Sequence, residues 1–305
     1  MDTDPQIVTA AGWRARLQAP VSELLSRHND VKEIVIEARN FASASKALDL
    51  IAAGVDLYNG PIVGRGFMRP YSPEDPNCAR EDSMFRTRSG LDKYITALGL
   101  WKGCRAAAKA SWRKQLQYAL TKFHQSQSLF VAHPMDLDPS RRYYMPLSAL
   151  PDDHVRFAYA IIAAYSVVEE LGLEVRASRE KPSRLPGGRW DPDVRADLEK
   201  RLHKAGINVK ERSPWMVRGP KRRIHLTPTV MQQKKYAWAR GWVQDRPVEL
   251  VDAIAHASWL RSKVASHRVH KSKPLIDALS PYDVCNVQFL AQRLILEMLD
   301  LWKQA

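Results

Sequence analysis

Arg261, Ser262 and His267 stand within seven positions, in the run Trp259-Leu-Arg-Ser-Lys-Val-Ala-Ser-His267-Arg-Val-His270-Lys271. A guanidinium holds a phosphodiester through a rigid fork of N–H donors, and an imidazole exchanges a proton near neutral pH. A small hydroxyl between them can orient either partner. Lys263, Arg268, His270 and Lys271 supply further donors around the same stretch. The chemistry these groups suit is binding of a phosphate diester with acid–base catalysis beside it. An Arg and a His at this spacing also arise by chance. A solvated basic helix end, with its cations near the C-terminal dipole, accounts for the same residues without any reaction.

Geometry constrains the first reading. Along an uninterrupted α-helix a separation of six residues leaves Arg261 and His267 about 120° apart, so they do not share a face. Joint action needs the helix to end near Lys263, or a second copy of the chain to supply one group. The elements that must position the motif are helical. Residues from about Pro247 to Ser266 form one predicted helix, and Pro281 to Lys303 form the closing one. Upstream, Ala38 to Tyr58 carries Phe41, Ala44, Leu48, Ile51 and Val55 on a 3–4 spacing. Glu33 to Glu37 reads either as a strand or as an early start of that helix.

Leu91 to Val131 is helical with breaks expected near Gly99 and Gly103, its buried face marked by Leu116, Ala119, Leu120, Phe123 and Gln127. Asp152 to Leu171 follows, closed by Gly172. A short helix runs from Pro192 to Ala205. Residues 60–89 are rich in Gly and Pro and read as loop, residues 177–192 as a mobile basic loop, and 206–228 as irregular. The fold class is mainly α. Its expected division is an N-terminal, mostly helical segment over 1–100 and a helical domain over 101–305.

The motif and its flanks resemble the HEPN superfamily of α-helical nucleases, in which an Arg, a polar residue and a His follow one another with four to six residues between Arg and His. The match includes the helix before the motif, a loop with Pro274, and the closing segment Leu279-Ser-Pro-Tyr-Asp-Val through Phe289-Leu-Ala-Gln-Arg-Leu-Ile-Leu-Glu-Met-Leu. The helices near 112–131 and 152–171 are similar to earlier helices of such bundles. Ser262 stands where asparagine is commoner in that family. The resemblance implies a HEPN-like bundle with an N-terminal helical extension and long basic loops. It also implies a metal-independent endoribonuclease working between two protomers, of the toxin or antiphage defence kind. His267 would then serve as general base or acid, Arg261 would stabilise charge on the phosphorus oxygens, and Ser262 would orient the phosphate or the imidazole. Cationic neighbours at 261, 263 and 268 disfavour protonated His267, which suits a base. The same resemblance admits a module that binds RNA or a protein partner without cutting.

Charge points the same way. Of 47 Lys+Arg and 33 Asp+Glu, residues 201–305 hold 19 and 8, so that third carries most of the net +14. An excess of this size suits a polyanion, or serves only solubility. Arg218-Gly-Pro-Lys221-Arg222-Arg223, set between Trp215 and the Lys234-Lys235-Tyr236 and Trp238 group, interleaves cations and rings as single-strand binders do. The expected partners are RNA, a second copy of the chain, and a neutralising or regulatory protein. Neither a cofactor nor a metal is expected. His267 and His270 form only half a zinc site, and Cys78, Cys104 and Cys285 do not group with them. Phosphate-binding Gly-rich loops and Gly-x-Ser-x-Gly do not occur. Without an apolar run near 20 residues or a signal-peptide layout, the expectation is a cytoplasmic protein with no membrane partner.

Overall fold

The computed structural model describes residues 6–18, 33–59, 97–130, 151–186, 188–218, 243–265, 279 and 281–304. Among the described residues helices hold 64%, so this part of the chain is mainly α. Two small antiparallel sheets accompany them.

The first elements are strands, not helices. β1 (Gln6–Ala10), β2 (Trp13–Gln18) and β3 (Glu33–Ala38) form an antiparallel sheet in that order. Gly12, at a φ of +83°, makes the turn between β1 and β2. Val8, Ala10, Trp13 and Ala15 are buried while Ile7, Arg14 and Arg16 face out, the period of two that a half-buried strand requires. Arg14 and Glu37 are register partners across β2 and β3 and form an ion pair. The expected helical extension therefore begins only with α1 (Phe41–Asn59), where the Asn40 side chain accepts from the Ser43 N–H at 2.9 Å.

α2 (Ala97–Ser111) and α3 (Lys114–Leu129) replace the single broken helix expected there. The break falls at Trp112-Arg113, while Gly99 and Gly103 both lie inside α2. Gly103 has a packing role. A Cβ on it would sit 2.6 Å from the Val55 backbone N, and a Cβ on Gly54 would collide with the Gly103 carbonyl. Two glycines thus let α1 and α2 meet backbone to backbone. α4 (Pro151–Glu170) is the expected core helix, closed by Gly172 at a φ of +69° with Leu173 N–H donating to the Val168 carbonyl at 2.9 Å.

Beyond α5 (Pro192–Lys204), three expectations are corrected. Arg212–Arg218 is a strand, β4, paired antiparallel with β5 (Val243–Glu249), so these residues are not irregular. Pro247 belongs to β5, facing Pro214, and α6 begins only at Leu250 and ends at Trp259. The ribbon tolerates both prolines because each of its strands has an edge unpaired among the described residues. A π-helical stretch, Leu260–Ala265, continues α6. α7 (Pro281–Met298) ends before Asp300, at a φ of 54°, so the closing helix does not reach Lys303. The large core gathers α3, α4, α6 and α7, with Ala53 and Leu57 of α1 packed into it. A smaller cluster joins the N-terminal sheet to α1 and α2.

Candidate nucleic-acid site at the end of α6

α6 is held by polar groups on its buried face. The Asp252 Oδ1 accepts from Arg184 Nη2 at 2.6 Å and from Trp190 Nε1 at 2.7 Å. The Arg184 guanidinium lies 4.0 Å from the centre of the Trp190 ring, a cation–π contact. One turn further, His256 Nδ1 lies 2.9 Å from Trp215 Nε1. An indole only donates, so that imidazole nitrogen carries no proton and His256 is neutral. Its ring also stacks on Trp259, with centroids 5.7 Å apart and planes 12° apart. Two directional contacts on successive turns fix how α6 is rotated.

That rotation aims the next turn at α4. Tyr165 is buried, its hydroxyl is hydrogen-bonded to Ser258, and burial pushes its phenol above the usual value. One turn along both helices, Arg261 Nη2 lies 3.3 Å from Glu169 Oε1, each side chain about 40% exposed. Ser262 follows at intermediate exposure. The α-helix ends at Trp259, before the motif, and Arg261, Ser262 and Lys263 ride on the π-helical stretch. Helical winding runs on through Ala265, past the point near Lys263 where joint action of Arg261 and His267 within one chain needs it to end.

His267, Arg268, His270 and Lys271 lie outside the described residues, as do Lys221, Arg222 and Arg223. Arg218 closes β4. Of the three residues assigned to catalysis, the structure therefore positions Arg261 and Ser262 beside α4. Within the loop over 177–192 several side chains have partners. Arg184 is held by Asp252, Lys181 pairs with Asp193 at 2.8 Å, and Arg184 bridges to Trp190 across the turn. Arg179 and Arg189 remain exposed there.

Nothing matches in three comparisons: no family model, no curated protein and no solved structure. The site must therefore be read from its own chemistry. No group of three or more His, Cys, Asp or Glu able to hold a metal occurs among the described residues. None of the described helices is long and apolar enough to cross a membrane.

Two further polar arrangements are formed by the described residues. His124 Nδ1 lies 2.7 Å from Asp56 Oδ2, joining α3 to α1 through a nearly buried carboxylate. Neither residue has a neighbour in sequence that marks the pair. In the other, residues 97–130, which form the α2–α3 corner, contain six Lys or Arg and no Asp or Glu.

Proposed function

We propose that the chain is a HEPN-like, metal-independent endoribonuclease, acting as a homodimer and serving as a toxin or in antiphage defence. The observation that carries the reading is the change from α to π winding at Leu260, just where the Arg–Ser–His motif begins. Six-residue π stretches are rare, and π turns inside helices occur often at functional sites. A half-exposed Arg261 on that stretch meets Glu169 across a solvent-screened contact, so an RNA phosphate can take the carboxylate's place. Arg261 then neutralises charge on the phosphorus oxygens, Ser262 orients the phosphate, and His267 accepts the proton of the attacking 2′-hydroxyl. As the 2′-oxygen bonds to phosphorus the P–O5′ bond breaks and the leaving 5′-oxygen takes a proton from water; the product carries a 2′,3′-cyclic phosphate, and DNA resists because it lacks the 2′-hydroxyl.

The test is incubation of labelled RNA in EDTA with the purified chain and its His267→Ala and Arg261→Ala variants. Cleavage that both variants lose supports the reading. Equal cleavage by all three proteins, or none by any, overturns it.

One contact favours a second reading, a HEPN-like module that binds RNA or a protein without cutting. Arg261 already has a carboxylate partner in Glu169, the arrangement expected if its role is to pin α6 to α4. RNA binding by the wild-type chain without cleavage selects this reading.

A further inference from the structure

We propose that the α2–α3 corner, with Trp112 at its tip and the cleft against β1 beside it, is a surface that binds single-stranded RNA. Lys102, Arg105, Lys109, Arg113 and Lys114 lie on residues 97–130 with no acidic residue among them, while Lys122, further along α3, is paired with Glu170 of α4 at 2.6 Å. Trp112 is 66% exposed, whereas Trp13, Trp190 and Trp215 are buried. A large ring kept in water at a helix corner loses the burial that a tryptophan otherwise contributes. Beside it Val8, Thr9, Arg105, Ala108, Lys109 and Trp112 line a cleft of about 200 Å³, with no carboxylate in the lining. That volume is below the roughly 300 Å³ at which sites for whole small molecules begin, so it takes one flat ring.

The cations are placed for phosphates. Arg113 is exposed at the N-cap of α3, and no side chain caps that helix start. Partial positive charge therefore adds to the guanidinium there. Lys109 donates to the Leu299 carbonyl at 2.7 Å and keeps two further N–H donors. Tyr118, half exposed, sits on α3 with Lys114 Nζ 5.7 Å from its ring centre. Rings alternating with cations fit a single strand, whose bases stack while its phosphates pair, and not a duplex, whose bases are covered. Stacking and phosphate pairing are common to RNA and DNA, so the choice of RNA rests on the ribonuclease reading.

The test uses the full chain, a fluorescent single-stranded 2′-O-methyl RNA that cannot be cut by 2′-hydroxyl attack, and anisotropy across a salt series. Trp112→Ala should weaken binding about tenfold, with Trp112→Phe retaining most of it. Lys109→Gln with Arg113→Gln should make the log–log salt slope shallower by about 1.4. Arg179→Gln with Arg189→Gln is the control for cations elsewhere and should leave affinity within about twofold. Because Trp112 is exposed, the thermal midpoints of the Trp112→Ala and Trp112→Phe variants should match the parent. Unchanged binding by Trp112→Ala overturns the proposal, as does equal loss in the control, tighter binding of single-stranded DNA or duplex, or Trp112-dependent binding to phosphatidylserine vesicles without RNA binding. Trp112-dependent binding without cleavage by the wild-type chain would remove the ribonuclease reading and leave this surface as a single-strand site. Cleavage that needs His267 but not Trp112 would do the reverse.

Discussion

Arg261 and Glu169 join the π-helical end of α6 to the last turn of α4 at 3.3 Å, and both side chains are substantially exposed. An exposed pair contributes at most about 1 kcal/mol, so it sets position more than stability. Glu169→Gln should leave the denaturation midpoint nearly unchanged and tighten RNA binding roughly threefold, since the carboxylate no longer competes with phosphate. Anisotropy at fixed salt measures the affinity. Weaker binding would mean that Glu169 orients Arg261 for its ligand rather than competing for it.

A different outcome is expected at the buried end of α6. Asp252→Leu leaves Arg184 and the Trp190 N–H without their shared acceptor. Removing one partner from such a cluster should cost about 3 kcal/mol in urea denaturation. Asp193→Asn breaks the Lys181 pair at the surface and should not move the midpoint.

Gly54→Ala and Gly103→Ala each place a methyl against backbone, which cannot rotate away as a side chain can. A loss of about 2–3 kcal/mol is expected for either. If instead the substitutions stabilise, as alanine does in an unobstructed helix, the helices do not touch as described.

Acid should weaken the fold through His154, in the first turn of α4. Its Nδ1 is buried without a hydrogen-bond partner among the described residues, and burial holds its pKa below the ordinary 6.5. The unfolded chain then takes up the proton first, so stability falls as pH drops below 6.5. His154→Asn should lose less stability than the parent between about pH 6.5 and 5. Glu297 acts in the opposite sense, because burial raises its carboxyl and the folded state protonates first. That contribution is shared by both proteins and cancels in the comparison.

Arg293 of α7 is 1% exposed, bonded to Glu211 Oε2 at 3.0 Å and to the Arg212 carbonyl at 2.9 Å. Arg293→Met should destabilise by about 2–3 kcal/mol in thermal or urea unfolding, because it strands an acceptor at the base of β4. A neutral result would show that solvent satisfies those groups.

What the linear chain determined by itself is periodic. Apolar residues every three or four positions marked α1, α3, α4, α5 and the body of α7, because a helix buries one face whatever it packs against. The positions of Leu116, Ala119, Leu120, Phe123 and Gln127 follow from that rule and are all buried. The strands at 6–18, 212–218 and 243–249 did not show, since each is short and owes its form to a partner. β4 and β5 pair across residues that include two prolines, which local rules assign to loops. Gly103 reads as a helix breaker until Gly54 is opposite it. For the site, the order Arg261-Ser262 and the chemistry of the groups were legible, while their setting was not. The Glu169 partner and the Trp215 N–H that sets the tautomer of His256 come from α4 and β4, distant in the chain and brought close only when the core closes.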